Sequence, residues 1–333
     1  MLIVTTSWLR RLIRRSIFKV HLCRIDSNLI SDNKEEIRLF LVIRNEATRL
    51  PYLFNYYLSL GVSRFFVVDN YSTDGSIDFL KSQPNTHIFQ TKDRYIKQAY
   101  WIDALLCRYG IGHWCLVVDA DEFLVYPNQE MLTLKKLCTF LERRNFNALR
   151  CFLLDMYPDK PLSVVKYIKG DNPLRIASYF DLDFDTFKGP LYFGGVRKRV
   201  FGVNPCLNKI PLFKFEPYMF LTTGAHFLST RRNFLDGKKI FIADIQGALF
   251  HFKFLDDFDK KIAEYLRSGK DNFIGSAYFE YMTYGNKIKE NPALSLYYPG
   301  SIRYTNNNQL LKLGILKSSA DLDNFVKKGN FVC

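Results

Sequence analysis

The chain has 333 residues, of which 48% are hydrophobic and 16% aromatic, and it carries a formal net charge of +14. The aromatic content excludes an intrinsically disordered protein, because disordered chains are poor in Phe and Tyr. The length suffices for a substantial core. The positive charge favours an anionic partner, which leaves nucleic acid, an anionic membrane surface or a phosphate-bearing substrate.

The basic residues are densest near the N-terminus. Those that precede the first acidic residue are Arg10, Arg11, Arg14, Arg15, Lys19 and Arg24. Apolar residues between them approximate helical spacing, which predicts an amphipathic segment over residues 1–24 that binds an anionic membrane surface. The alternatives are a helix packed on the protein's own surface and a disordered leader. No run approaches the about 20 apolar residues of a spanning helix.

From residue 36 onward, short apolar runs alternate with helix-like segments. The predicted strands are residues 39–43, 65–68, 87–89 and 114–118, and the predicted helices are residues 51–60, a segment ending near residue 81, and 95–109. Continuous apolar strands between helices are typical of a parallel sheet that is covered on both faces. The sequence therefore predicts an α/β fold with a doubly wound, mostly parallel sheet.

The second half is less regular. It predicts a helix over residues 132–144, a strand over 148–154, and two apolar stretches that end in His226 and His251. The pattern turns helical after residue 256. We expect three regions: a basic leader over residues 1–35, the α/β domain over 36–255, and a helical extension over 256–333.

Polar clusters follow three predicted strands, at residues 44–46, 69–74 and 119–122. Ligands of open α/β sheets collect at the carboxyl ends of strands, although each cluster alone is also typical of ordinary turns. Asp119 and Asp121 bring two negative charges together, which is costly without a cation. Oxygen ligands suit Mg²⁺ or Mn²⁺, and such ions often complete their shell with substrate phosphates. The sequence thus predicts a metal that neutralises a diphosphate.

These three motifs, read in order as Arg44-Asn45-Glu46, Val67 to Gly75 and Asp119-Ala120-Asp121-Glu122-Phe123, resemble the family 2 and family 92 glycosyltransferases. The similarity is greatest to bacterial members with an R/K-N-E opening and a DxDEF motif. It covers roughly residues 38–260, and its first half is the more specific. The resemblance implies a GT-A fold, a nucleotide-diphosphate sugar donor such as a UDP-sugar, a divalent metal and inversion at the anomeric carbon.

The resemblance also implies which residues bind the donor. They are Arg44, Asn45, Glu46, Asp69, Asn70, Lys97, Gln98, Asp119 and Lys253. Asp69 and Asn70 stand where these enzymes carry a paired acidic motif that contacts the base or ribose, and here the second position is Asn. GT-A enzymes often add a histidine to the two carboxylates of the metal site. We expect His251 in this role first and His226 second, although such histidines are often structural.

An inverting displacement needs a base that takes the acceptor proton, and a carboxylate is the usual choice. Asp155 and Glu122 are the leading candidates, and Asp181, Asp183 and Asp185 are also available. The residue pattern does not choose among them.

Scattered cysteines bear on the compartment. The seven cysteines form no CxxC pair, so neither a zinc site nor a disulfide framework is indicated. We expect buried free thiols in a reducing compartment, and so a cytoplasmic protein. The basic leader would make this protein peripheral on the membrane.

The favoured function is sugar transfer from a nucleotide-sugar donor to a glycan or lipid-linked glycan, as in polysaccharide biosynthesis. A metal-dependent nucleotidyltransferase would use similar parts, but it should carry a Gly-rich or Lys/Arg-rich loop after the first strand. A nucleic-acid-binding protein is the non-enzymatic alternative. The basic residues cluster in the leader and the aromatic residues lie in apolar runs, so we expect no nucleic-acid partner.

Overall fold

The computed structural model describes residues 21–187, 191–222, 226–230, 239–270 and 277–329. Most of the predicted amphipathic leader, residues 1–20, lies outside the described residues. So do residues 223–225, which precede His226, and Cys333. No helix among the described residues is long and apolar enough to cross a membrane.

The strands and helices alternate through the first half of the chain. The strands are β1 (Cys23–Arg24), β2 (Ile37–Ile43), β3 (Arg64–Asp69), β4 (Thr86–Gln90), β5 (Trp114–Val117), β6 (Glu122–Val125), β7 (Ala148–Asp155), β8 (Tyr179–Phe180), β9 (Phe184–Phe187), β10 (Leu191–Gly194), β11 (Asn208–Lys214), β12 (Met219–Thr222), β13 (Phe227–Thr230), β14 (Ile242–His251) and β15 (Ile302–Arg303). The α-helices are α1 (Leu50–Ser59), α2 (Ser76–Lys81), α3 (Gln98–Tyr109), α4 (Leu134–Arg143), α5 (Val196–Phe201), α6 (Phe258–Ser268), α7 (Ala277–Glu290), α8 (Asn307–Lys312) and α9 (Ala320–Lys328).

A nine-stranded sheet organises the molecule, in the order β1-β4-β3-β2-β5-β11-β7-β14-β6. Strands β4, β3, β2 and β5 are parallel to one another, and β7 is parallel to β14. Strands β1, β11 and β6 are antiparallel to the strands beside them. Six strands of this sheet therefore run in one direction and three in the other. The prediction of an α/β fold with a mostly parallel sheet is confirmed.

Helices cover both faces of the parallel strands. Leu39 and Leu41 of β2 pack in the same apolar cluster as Leu53 of α1. Phe40 faces the other side, where it packs with Trp101 of α3. Because both faces of β2 are buried, its sequence after Arg38, Leu39 to Ile43, is a continuous apolar run without polar alternation.

Strand direction gathers the polar clusters at one edge of the sheet. The carboxyl ends of β5, β7 and β14 meet there, and the antiparallel strands β6 and β11 begin there. Within the sheet, His251 is the register partner of Asp155 on one side and of Glu122 on the other. The first residues of β11, Asn208 and Lys209, pair with Phe152 and Cys151 of β7. This edge is therefore built from the neighbouring strands β5 and β6 and from three strands that are distant from them in sequence, β7, β11 and β14.

His113, at the opposite end of β5, gives a test of the buried polar contacts. Its Nε2 lies 3.3 Å from Lys34 Nζ. Burial, with Arg38 and Lys34 nearby, lowers the pKa of His113 from 6.5 to about 4. The unfolded chain then takes up the proton first as the pH falls. We expect the free energy of unfolding to decrease between pH 6.5 and about 4.

Denaturant unfolding of the wild type and of His113→Gln at several pH values in this range measures the effect. The variant should show a shallower pH dependence, because the titrating imidazole is gone while the other groups stay. Equal pH dependence in the two proteins would contradict this account.

Candidate active site

The turn between β5 and β6 carries the two aspartates of the DxD motif. Its ends are joined by hydrogen bonds, because Asp119 N donates to Glu122 Oε2 at 2.8 Å and Glu122 N donates to Asp119 O at 3.1 Å. The Asp119 side chain is 44% exposed and that of Asp121 is 18% exposed. Glu122 is buried. The turn thus presents Asp119 to solvent and turns Glu122 inward.

A buried lysine stands behind this turn. Lys209 Nζ lies 2.6 Å from Glu122 Oε2 and 3.2 Å from Asp119 Oδ2, and its side chain is fully buried. Burial lowers the pKa of Lys209, but Asp119 and Glu122 outweigh it and raise the pKa above the ordinary value. Burial raises the pKa of Glu122 to about 7, against the lowering effect of Lys209. Lys209 therefore compensates two carboxylates of the motif.

His251 faces the same turn from the end of β14. Its Nε2 lies 3.5 Å from Asp121 Oδ2, and its Nδ1 lies 2.6 Å from Asp155 Oδ1. Burial lowers the pKa of His251, but Asp121 and Asp155 outweigh it and raise the pKa to about 9. The imidazole thus lies between two carboxylates, with one nitrogen toward each.

Asp155 is held on its other side by Arg197. Arg197 Nε donates to Asp155 Oδ2 at 2.7 Å, and both side chains are buried. Burial raises the pKa of Asp155, but Arg197 and His251 outweigh it and lower the pKa to about 2. Because both carboxylate oxygens are engaged inside the protein, this placement disfavours the hypothesis that Asp155 is the general base.

His226, the second candidate ligand, lies beside β11. Its Nδ1 is 3.3 Å from Asn208 O. Burial and the nearby Lys209 lower the pKa of His226 to about 4. The histidine that the structure brings into contact with Asp121 is His251.

Helix α6 is bound to the loop after β2, where the resemblance implies nucleotide contacts. Three side-chain contacts join them: Glu264 accepts from Asn45 Nδ2 at 2.8 Å, Lys261 pairs with Glu46, and Asp257 pairs with Arg49. Residues 257, 261 and 264 share one face of a helix. The side chains of Asn45 and Glu46 therefore join α6 to this loop, while Arg44 is exposed.

Asp69 and Asn70 shape the neighbouring loops. Asp69 accepts from Ser72 N at 3.1 Å and from Gln90 Nε2 at 2.9 Å. Asn70 Nδ2 donates to the backbone oxygens of Thr91 and Asp93, each at 3.0 Å. Both side chains are buried. They hold the ends of β3 and β4 in place.

A cavity of about 500 Å³ opens beside these loops. Its walls are His21, Leu22, Cys23, Tyr71, Gln90, Thr91, Lys92 and Asp93. Lys92 Nζ lies 4.4 Å from the centre of the Tyr71 ring. The cavity therefore offers an aromatic ring and a cation at the ends of β3 and β4.

The remaining predicted donor residues are spread around this edge. Lys97 Nζ lies 3.0 Å from Asp93 Oδ2, and Gln98 is the first residue of α3. Lys253 Nζ donates to Tyr281 OH at 2.8 Å. Burial lowers the pKa of Lys253, although the nearby Glu280, Asp121 and Asp155 oppose this effect.

Sequence reasoning missed Lys209 and Arg197. Lys209 stands at the start of an apolar run, Leu207 to Phe213, where a lone lysine is unusual and could have been noticed. Arg197 lies in a basic stretch, Arg197-Lys198-Arg199, that looks like a solvated helix face. No local pattern distinguishes it from its neighbours.

Within the described residues, no group of three or more His, Cys, Asp or Glu side chains is arranged to hold a metal ion. An ion at the DxD turn would therefore need further ligands besides the described side chains. Mg²⁺ and Mn²⁺ suit this, because they bind through one or two carboxylates and complete their shell with phosphates and water.

No family model matches the chain, and no curated protein matches it. Among solved structures, it is similar to HddC from Yersinia pseudotuberculosis, with 10% identity over 69% of this chain and 99% of that one, at a TM-score of 0.33. It is also similar to a UDP-glucose pyrophosphorylase complexed with UDP-glucose, with 9% identity over 89% and 97% of the two chains, at a TM-score of 0.28. Likenesses this weak say nothing about activity.

The Lys209 contacts predict a large loss of stability in Lys209→Met. The variant leaves Glu122 buried without its cation, and breaking a buried pair costs about 3 to 5 kcal/mol. Denaturant unfolding measures the change.

Lys214→Met on the same strand is the matched control, because Lys214 and Glu142 form a pair 2.9 Å apart that is partly exposed. It should cost at most about 1 kcal/mol. Equal losses in the two variants would show that Lys209 has no special role in compensating the motif.

Proposed function

We propose that the chain is a metal-dependent glycosyltransferase that moves a sugar from a nucleotide-diphosphate donor to a hydroxyl of a glycan or lipid-linked glycan, with inversion. The observation that supports it is the set of groups around the DxD turn. The Asp119 side chain is exposed, Asp121 follows two residues later in the same turn, and His251 Nε2 lies 3.5 Å from Asp121 Oδ2.

A hard divalent ion here would be held by two protein groups together with the phosphates of the donor, because no three described side chains are arranged around one ion. Asp121, or the more exposed Asp119, would supply a carboxylate oxygen, and His251 Nε2 would supply a nitrogen that favours Mn²⁺ over Mg²⁺. The bound ion would supply positive charge to the diphosphate. His251 would bind the ion as the neutral imidazole. Asp155 Oδ1, 2.6 Å from Nδ1, would then favour the tautomer that carries its proton on Nδ1 and leaves Nε2 as the ligand.

The donor would lie along the carboxyl edge of the sheet. The cavity beside Tyr71 and Lys92 suits a nucleotide base, since an aromatic ring stacks on a base. Lys253 and the exposed Arg44 are the cations that we expect to bind the diphosphate. The nucleotide we expect is UDP.

The acceptor side is less defined. Transfer requires a base within hydrogen-bond reach of the acceptor hydroxyl. Glu122 is buried against Lys209, and Asp155 against Arg197 and His251, so their contacts favour structural roles. A lipid-linked acceptor would agree with a leader that binds an anionic membrane surface through residues 1–24.

A donor screen tests the proposal against its nearest alternative. A glycosyltransferase releases nucleoside diphosphate from a nucleotide sugar, whereas a nucleotidyltransferase releases pyrophosphate from a nucleoside triphosphate and a sugar phosphate. Both products should be measured with Mn²⁺ and with EDTA. Pyrophosphate release without nucleoside diphosphate release would favour the nucleotidyltransferase.

Asp121→Asn should lower the release of nucleoside diphosphate by about 100-fold or more, because it removes a charged group next to the developing charge. The variant keeps the size of the side chain, so circular dichroism and thermal unfolding should stay near the wild type. Full turnover in this variant, or in EDTA, would contradict a metal mechanism.

The two histidines should separate in metal titrations. His251→Ala should raise the Mn²⁺ concentration needed for half-maximal activity by more than about tenfold and reduce the preference for Mn²⁺ over Mg²⁺. His226→Ala should lower mainly stability, because His226 contacts the backbone of β11. A changed metal requirement in His226→Ala, with none in His251→Ala, would reverse the assignment.

A further inference from the structure

A row of buried charged side chains extends from His251 away from the DxD turn. Asp155 Oδ1 lies 2.6 Å from His251 Nδ1, Asp155 Oδ2 accepts from Arg197 Nε at 2.7 Å, and Arg197 Nη1 lies 3.4 Å from Glu280 Oε1. Asp155 therefore lies between the His251 imidazole and the Arg197 guanidinium, and Arg197 lies between two carboxylates.

The backbone fixes Arg197 in this row. Arg197 lies in the first turn of α5, directly after Gly194 and Gly195, which have φ values of 116° and 67°. Other residues rarely adopt such angles. At Gly194, an added Cβ would approach Asp183 O to 3.3 Å. The glycine pair thus makes the sharp turn that points the start of α5 toward β7.

Helix α7 completes the row from the C-terminal side. Phe201 of α5 and Tyr284 of α7 are buried together, with ring centres 4.7 Å apart. Tyr284 OH also donates to Glu280. Packing of the two helices therefore holds Glu280 beside Arg197, so the row is anchored on four elements, β14, β7, α5 and α7.

The arrangement restricts the imidazole in two ways. An anion at Nδ1 keeps the proton on that nitrogen and leaves Nε2 toward Asp121, and carboxylate partners of this kind orient metal-binding histidines. The guanidinium occupies the second oxygen of the carboxylate, so Asp155 cannot turn away from the ring without losing a charged hydrogen bond.

We propose that Asp155 and Arg197 are positioning residues that hold His251 in the orientation needed to bind a divalent cation together with Asp121. The inference rests on the proposed function for its metal. It gives Asp155 a role other than that of the general base, and it gives α5 and α7 a part in the metal site.

The chain offers a matched control on the same helix. Arg199 Nε donates to Asp181 Oδ2 at 2.7 Å, and the Asp181 side chain is buried. This pair resembles Arg197 and Asp155 in its geometry, but its described contacts lie with Tyr157, Tyr298 and Leu296. Loss of stability alone should therefore affect both arginine variants, whereas loss of positioning should affect only Arg197.

The experiment measures Mn²⁺ binding directly, by electron paramagnetic resonance titration of the full chain with and without UDP. We expect the Kd for Mn²⁺ to rise about 10- to 100-fold in Asp155→Asn and in Arg197→Met. Arg199→Met should keep the wild-type Kd. If Arg197→Met does not fold, Arg197→Lys keeps the charge without the fork and should still raise the Kd.

Turnover separates positioning from catalysis. Asp155→Asn should recover part of its turnover as Mn²⁺ is raised to saturation, whereas a variant that lacks the general base would lose the same fraction of kcat at every metal concentration. An unchanged Kd in Asp155→Asn and both Arg197 variants would overturn the inference. So would an equal rise in Arg199→Met, or a wild type that binds no Mn²⁺ in either condition.

The two proposals can fail separately. A wild type that binds Mn²⁺ with UDP but releases nucleoside diphosphate from no nucleotide sugar would refute the glycosyltransferase. The Kd values of the variants would still decide whether Asp155 and Arg197 position His251.

Discussion

Compensation of buried charge organises this edge of the sheet. Glu122 and Asp155 are buried next to the apolar core, and an unpaired charge in such a place is very costly. Each therefore has a cation from a distant part of the chain, Lys209 for Glu122 and Arg197 for Asp155. We therefore expect the edge to lose stability when β11, β14 or α5 is displaced.

Helices α6 and α7 form ion pairs with residues around the candidate site. Helix α6 pairs with the loop after β2, and α7 brings Glu280 to Arg197. The sequence predicts residues 256–333 as a separate extension, and that division stays a prediction. The contacts of α6 nevertheless join it to residues about 200 positions earlier, such as Glu46. A change in α6 would therefore act on the first loop of the domain.

Local patterns predicted much of the first half. Strand β2 was predicted at residues 39–43 and covers Ile37–Ile43, because both its faces are apolar. The helix predicted at residues 95–109 begins with a 3₁₀ turn and becomes α-helical at Gln98. The ends of helices and strands depend on a few hydrogen bonds, so sequence patterns predict them less accurately than the elements themselves.

The candidate site was predictable only in part. Asp119, Asp121 and His251 carry local signals, a turn after a strand and a histidine after an apolar run. Arg197 carries no such signal, and the apolar run around Lys209 marks that lysine as unusual without indicating its partner. The partners of Lys209 and Arg197 lie 87 and 42 residues away in sequence. The insertion of antiparallel β11 between β5 and β7 is what brings Lys209 to the turn, and nothing in its own sequence gives its direction. Pairings of this kind follow from the whole topology.

The short strand β1 has a consequence for how the N-terminus can be altered. It covers the free edge of β4, and residues 21–23 form one wall of the cavity beside Tyr71. Removing the basic segment through residue 24 would take away that wall and expose an unpaired strand edge, which invites association between chains. A shortened protein with poor donor binding would then reveal nothing about membranes, because the segment that carries the positive charge continues directly into the wall of the cavity.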